Sequence, residues 1–383
     1  MSRWLVVSST FPQYAGDPRG RFVCRHWEQA AERHGVDVRV LAPQTRWVEG
    51  GLDTSLDVVR FRYAPRVWAS LTGRFGMVAN LREMPLRAAL VPMYWQAQQM
   101  ALRRQLELYR PDHVVAHMLL PCGWPVAVAC SKRRVSYDLY GHGSDVDVLL
   151  SIGRWRRGTV LRLLAGAKQV YLPSQEKLHR VRAWLGADAA SVHLAVETMA
   201  HVVATGRDPT VTGSGVVGPP RILFMGRLVR QKGVDVLLRA VGLLGGEVAI
   251  DIAGDGPERR PLERLAARLG VDARFLGYVE GVEHARAYAR ASVVCVPSRE
   301  VGAFSEGAPL VVLEARRYGL PVVGTRVGGI PELCADDPQA ELVTPNDPGG
   351  LAVALASVLR QRLGDDREDR ARSSRGPSDG WAA

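Results

Sequence analysis

At 383 residues, with 47% hydrophobic and 23% charged residues, the chain is long enough for two or three packed domains and too apolar to be disordered throughout. Its net charge of +11 is unevenly placed. Residues 1–218 carry 28 Lys and Arg against 17 Asp and Glu, while residues 219–383 carry 22 of each. A basic N-terminal half points to an anionic partner such as a phosphorylated molecule or a lipid surface, and the absence of any nucleic-acid recognition motif argues against nucleic acid.

No stretch approaches the ~18 apolar residues of a membrane span. The apolar part of MSRWLVVSSTFP is too short for a signal peptide and reads as a first strand. Cysteines 24, 122, 130, 295 and 334 are scattered and form no Cys-x-x-Cys. That pattern predicts reduced thiols in a cytoplasmic protein, not a disulfide frame or zinc site.

Residues 4–8 form a continuous apolar run that ends in the loop FPQYAGDPRGRF. A helix over about 20–34 closes at Gly35, and VDVRVLAP at 36–43 is a second strand. This β–loop–α–β opening implies a parallel sheet, whose ligands sit beyond the carboxyl ends of the strands. Gly16 and Gly20 in the first loop are therefore candidate site walls. Residues 60–95 interleave Arg66, Arg74, Arg82 and Arg87 with Trp68, Leu71, Phe75, Met77 and Leu81. Two readings stand: an amphipathic segment lying on an anionic membrane surface, extended by Arg154, Trp155, Arg156 and Arg157, or a helix pair packed on its own sheet.

Strand-like HVVAHM (113–118) and RVSYDLYGHG (134–143) bring His117 and His142 to their ends. Gly141, Gly143 and Ser144 permit a sharp turn that would expose the His142 imidazole. Asp145 reads as a turn-holding or acceptor-side carboxylate. Asp145 and Asp147 also spell Asp-x-Asp, a metal–diphosphate motif, but the cations described next supply that charge without a metal. A helix near 155–166, the strand KQVYLP and a helix over 175–185 complete a first domain, 1–211. TGSGVVGPP (212–220) is the linker by its Gly, Pro and Ser content.

A second domain, 221–362, restarts the pattern. The strand RILFMG (221–226) feeds a loop holding Gly226, Arg227, Lys232 and Gly233 before the helix VDVLLRAV. Two cations five residues apart, at a strand's end and a helix's start, form a phosphate cradle, with Arg227 suited to bidentate binding and Lys232 to a point charge. Lys232 is one of four lysines against 46 arginines. VAIDIAGDGPE places Gly254 in a turn before the next helix, and ARFLGYV places Gly277 and Tyr278 after a strand. VVCVPSR (293–299) leads to SREVGAFSEGAPLVVLEARRYGLPVVGTRVGGIPE. There Glu306 and Glu314 stand eight residues apart. Gly307, Ala308 and Pro309 read as a turn entering a helix near 308, with Leu310, Val311 and Leu313 on its buried side. A helix start is an anion site, and ionised carboxylates accept hydrogen bonds from sugar hydroxyls. From 363 the charged, Ser/Gly-rich GDDREDRARSSRGPSDGWAA reads as disordered.

The Gly-Arg-x5-Lys-Gly loop, the YGHGSD turn and SEGAPLVVLEA together resemble family-4 retaining glycosyltransferases (glycosyl transferases group 1), and the wording of SEGAPLVVLEA is similar to the exopolysaccharide, colanic-acid-type branch. The resemblance implies an α/β GT-B fold, two Rossmann-like domains with parallel sheets facing an interdomain cleft. It implies that Glu306 faces the donor sugar, that Glu314 binds the ribose hydroxyls and that His142 lies near the reacting carbon. Arg227 and Lys232 would hold the diphosphate; Gly16, Gly20, Gly226, Gly254, Gly277, Tyr278, Gly307, Ala308 and Leu310 would line the donor site. The partners implied are a nucleotide-sugar donor and a glycan or lipid-linked acceptor, with no cofactor and no metal. The enzyme would be cytoplasmic or peripheral on the inner face of the membrane. Other reactions on the same fold, sugar-nucleotide epimerisation or glycan phosphorolysis, and an inactive scaffold are the alternatives.

Overall fold

The computed structural model describes residues 1–374 except Pro18, 73–75, 78–79, 82–83, 152–155, 203–218 and 246–247, and gives the backbone alone for His201 and 363–374. The chain divides into two compact units, Met1–Ala204 with Gly302–Ala308, and Thr205–Val301 with Pro309–Ala383.

The first unit is built on seven parallel strands: β1 (Arg3–Ser8), β2 (Asp37–Pro43), β3 (Asp57–Phe61), β4 (His113–His117), β5 (Ser136–Tyr140), β6 (Gln169–Leu172) and β7 (Leu194–Val196), in the order β3-β2-β1-β4-β5-β6-β7. Central strands β1 and β4 are buried on both faces, which is why they read as unbroken apolar runs without alternation. Helix Arg21–His34 buries Val23, Cys24 and Trp27, spaced to share one stripe, and ends at Gly35 in the left-handed conformation (φ 59°), whose N–H donates to the Ala31 carbonyl.

The second unit repeats the plan with six parallel strands: β8 (Arg221–Met225), β9 (Ala249–Ala253), β10 (Ala273–Gly277), β11 (Val293–Val296), β12 (Val322–Thr325) and β13 (Ala340–Val343), in the order β10-β9-β8-β11-β12-β13. Both sheets are doubly wound. Each reverses direction once, between β1 and β4 and between β8 and β11.

Several expectations change. Gly302–Ala308, read as part of the second domain, packs with the first unit. The helix expected from about 308 is Leu310–Arg317, with Pro309 at its N-cap. Residues 363–374, read as disordered, continue the helix Pro348–Ser374; 375–383 lie outside the described residues, as does 212–218 of the linker. Of the 60–95 stretch, Leu71 is fully buried and Met77 and Leu81 pack on the core, as a helix pair on its own sheet would have them. Trp68 and Leu86, by contrast, are 66% and 86% exposed. Arg74, Phe75, Arg82, Arg154 and Trp155 lie outside the described residues. Arg157 donates to the Leu185 carbonyl and pairs with Asp188, so it is held within its own unit.

Gly233 and Gly270 separate two glycine requirements. Both have positive φ, 65° and 64°, but a Cβ on Gly233 would meet the Pro297 carbonyl oxygen at 1.9 Å, whereas nothing lies within 4 Å of one on Gly270. Gly270→Ala should cost about 1 kcal/mol, the left-handed penalty alone. Gly233→Ala should cost at least about 3 kcal/mol, since backbone must also move. Urea-unfolding midpoints for the two variants test this, and equal losses would refute the close approach.

Candidate functional site

At the carboxyl edge of the first sheet, register sets Ser8 of β1 beside His117 of β4, His117 beside Tyr140 of β5, and Tyr140 beside Tyr171 of β6. Parallel pairing thus stacks the rings side by side: His117 on Tyr140 with centroids 4.8 Å apart, and Tyr140 on Tyr171 at 4.5 Å. Immediately after β4 the chain turns through Met118, a non-glycine residue at φ 74°, and such strain is held only where surroundings over-determine it. Asp145 supplies part of that hold. One of its carboxylate oxygens accepts from the Leu119 N–H (2.7 Å) and the other from the His142 N–H (2.8 Å). Asp145 is therefore the turn-holding carboxylate, and burial raises its pKa to about 6.

The turn so held presents His142. Its ring stacks on His117 (5.1 Å between centroids), meets Phe22 edge-on and keeps part of its surface open. Burial and the nearby His26 push its pKa down to about 3, and the same causes with His142 itself keep His117 far below the usual range. Both rings are neutral near pH 7.

The structure brings Glu306 and Gly307 to this turn. A Cβ on Gly307 would lie 3.4 Å from Gly143 Cα and from the His142 carbonyl oxygen, so the two glycines permit backbone on backbone. What draws the segment in is a polar cluster unreadable from the sequence. Lys177, fully buried on helix Gln175–Leu185, places Nζ 2.6 Å from Asp147 Oδ1 and 2.6 Å from Ser305 Oγ. Asp147 Oδ2 accepts from the Ser305 N–H at 3.1 Å, and Arg180 donates to Asp147, Ser305 and the Ala303 carbonyl. A buried Lys without its carboxylate would be an uncompensated charge, so the three groups hold one another. Asp145 and Asp147 thus face different partners. Among the described residues no group of three His, Cys, Asp or Glu is placed to hold a metal.

The first loop is closed by Asp17, another residue the sequence did not single out. Its buried carboxylate accepts from the Gln13 and Arg19 N–H groups and pairs bidentately with the Arg19 guanidinium. Gly16 (φ 81°) lies in this turn, and Gly20 (φ 71°) caps the following helix, where a Cβ would strike the Thr10 carbonyl oxygen at 2.3 Å.

In the second unit the predicted glycines meet one another. The Gly226 N–H donates to the Ala253 carbonyl, and the Gly254 N–H donates to the Gly277 carbonyl at 2.6 Å. A Cβ on Gly254 would sit 1.8 Å from the Gly226 carbonyl oxygen, so no larger residue fits. The loops after β8, β9 and β10 are thereby interlocked at one edge. Arg227 is exposed and Lys232 half-buried, its stem alongside Gly226. Arg299 holds this loop: its N–H donates to the Gln231 carbonyl, its Nε to the Arg230 carbonyl, and its guanidinium pairs bidentately with Asp235 at 2.7 and 3.1 Å. The sequence carried a signal for Arg299 only in its place after a buried strand. Tyr278, 55% exposed, follows Gly277. Leu310 opens the helix that carries Glu314 in its second turn, where Glu314 Oε2 accepts from the Tyr288 hydroxyl (2.6 Å) and lies 3.5 Å from His284 Nε2. Glu306 and Glu314, expected in one domain, fall in different units.

The neutral His142 sets a pH dependence. Its folded pKa lies below its unfolded value, so its stabilising contribution is complete above pH 6.5 and is lost as pH falls toward 3. At pH 5 the loss is about 2 kcal/mol. In urea titrations, the drop in stability between pH 7 and pH 5 should shrink by about that amount in His142→Gln; an undiminished drop would show that the ring protonates at no folding cost.

Residues 219–361 match the family Glycosyl transferases group 1. In three curated relatives the matched stretch takes in 27%, 37% and 63% of the relative's own length. One, a GDP-mannose-dependent alpha-(1-6)-phosphatidylinositol monomannoside mannosyltransferase of Mycolicibacterium smegmatis, is 30% identical over 61% of this chain and 63% of its own. Among solved structures, sucrose-phosphate synthase from Thermosynechococcus elongatus superposes with a TM-score of 0.69 at 18% identity, covering 95% of this chain and 91% of that one. Anabaena HepE in complex with UDP and glucose gives a TM-score of 0.63 at 18% identity, over 96% and 91% of the two chains. The chain thus has the GT-B fold of two Rossmann-like domains, and its residues 219–361 carry the match to glycosyl transferases group 1.

Proposed function

We propose that the chain is a family-4-type retaining glycosyltransferase that moves a hexose-type sugar from a nucleotide-diphosphate donor to an acceptor hydroxyl, with no metal or other cofactor. The observation that carries this reading is the second sheet's reversal point. In doubly wound sheets, ligands bind beyond the carboxyl ends of the strands where the order reverses. That point lies between β8 and β11. The loop leaving β8 holds Arg227 and Lys232, and the chain leaving β11 runs on to the helix that carries Glu314.

The chemistry needs these groups. The sugar's C1–O bond to the diphosphate breaks as negative charge gathers on the bridging oxygen. The acceptor oxygen bonds to C1 on the same face, and its proton passes to the leaving phosphate. Arg227 and Lys232 neutralise the developing charge, which is why no metal is required. Glu314, oriented by Tyr288, takes the ribose hydroxyls; the family resemblance assigns Glu306 and His142 to the sugar. The mannosyltransferase relative and the UDP-bound neighbour support a nucleotide-sugar donor. A glycan or lipid-linked acceptor in bacterial polysaccharide or glycolipid synthesis, and a cytoplasmic position peripheral on the membrane, complete the proposal. The exposed Trp68 and Leu86 of the basic half support that position, and among the described residues no helix is long and apolar enough to cross a membrane.

A thermal-shift screen over UDP-, GDP- and dTDP-sugars identifies the donor, since a ligand at 100 times its dissociation constant stabilises by ~2.7 kcal/mol. With that donor, nucleoside diphosphate should appear only when acceptor is present. Removing either cation, in Arg227→Ala or Lys232→Ala, should lower kcat about 100- to 1000-fold. Acceptor-independent epimerisation, phosphate-dependent release, or no stabilisation by any sugar nucleotide would overturn the reading.

A further inference from the structure

The rings behind His142 determine where its proton resides. An indole nitrogen can donate a hydrogen bond and cannot accept one. Trp27 Nε1 lies 2.7 Å from His117 Nε2, with the indole as donor, so that imidazole nitrogen must be bare. A proton there would set two N–H groups against each other at 2.7 Å. His117 therefore carries its single proton on Nδ1. That nitrogen lies 2.9 Å from His142 Nε2, which must accept and be bare in turn. The proton of His142 is left on Nδ1, which has no hydrogen-bond partner among the described residues.

We propose that Trp27 and His117 are positioning residues that lock His142 in its Nδ1–H tautomer, so that the ring meets a ligand as a hydrogen-bond donor and cannot act as a base. The tautomer follows from the two hydrogen bonds alone; the ligand, an oxygen of the sugar donor, rests on the function proposed above. Burial works in the same direction, because it keeps both rings neutral. The relay is also fixed by the fold. Trp27 lies on the buried face of helix Arg21–His34, His117 ends β4, and His142 follows β5, so parallel pairing and one helix face set all three partners. No sequence motif joins them, since the three residues are 90 and 25 positions apart.

Imidazole nitrogen spectra of the full-length protein, labelled with 15N at histidine and tryptophan and recorded at neutral pH, test the proposal. His117 and His142 should each show a protonated-type Nδ1 and a bare-type Nε2, with scalar coupling across the Trp27 Nε1–H···Nε2 His117 bond. Trp27→Phe removes the donor that forces the pattern, and signals of the Nε2–H tautomer should then appear on both rings. A wild-type His142 with its proton on Nε2 would overturn the proposal, as would a folded Trp27→Phe protein with unchanged patterns. If the variant does not fold, the wild-type spectrum decides by itself. Loss of sugar-nucleotide turnover is a separate matter: a protein with the predicted spectra and no such turnover would defeat the function proposed above and leave the tautomer assignment standing.

Discussion

Parallel strand pairing is the constraint from which the rest of the structure follows. In an all-parallel sheet every strand ends at the same edge, and the loops that follow must gather there whatever their sequences. In the first unit this lines up Ser8, His117, Tyr140 and Tyr171; in the second it gathers the loops that begin at Gly226, Gly254 and Gly277. Side chains from distant parts of the chain need no long-range recognition of their own to meet at such an edge. They need only the right place after a strand.

The edge is then made rigid by two different means. In the second unit backbone lies directly on backbone, with Gly254 against the Gly226 carbonyl and Gly233 against that of Pro297. In the first unit, beside the close approach of Gly307 to Gly143, buried charge does this work, through Asp17 with Arg19 and through the fully buried Lys177 with Asp147. The difference has a thermodynamic consequence. Close backbone contact tolerates no side chain at all, whereas a buried ion pair tolerates substitution of both partners better than loss of one.

How much of this could be read in the sequence depends on the range of the signal. Local signals were sufficient for most strands and for helices such as Gln175–Leu185, which occupies the span expected for it. The glycines of the second unit were also legible, because each follows an apolar strand and stands in a turn. Strand β3 and helix Gly281–Arg290 went unread: the first lies beside an Arg-rich stretch, and the second is short and rich in Ala and Arg, with only Ala285, Ala287 and Tyr288 buried. The polar residues that organise the site, Asp17, Trp27, Lys177, Arg299 and Tyr288, were missed for a different reason. Asp17 binds within its own loop, 2 and 4 positions away, where no motif marks it; the others have partners 26 to 128 residues away, and a pairing across the fold leaves no period in the chain. The same holds for Gly302–Ala308, which its place in the chain puts with the second domain and its contacts put with the first unit. It sits between a strand and a helix of the second unit, and the Lys177 cluster, with the approach of Gly307 to Gly143, shows where it belongs.

That segment carries a consequence for biosynthesis. A ribosome releases the first seven strands early, but the piece that covers Lys177 and Asp147 emerges only after β8 to β11 have been made. Until residue 308 is out, the nascent N-terminal half holds a lysine and an aspartate whose third partner does not yet exist. The N-terminal half therefore reaches its finished form late in translation. For the same reason, no single cut in the chain would release two self-sufficient halves.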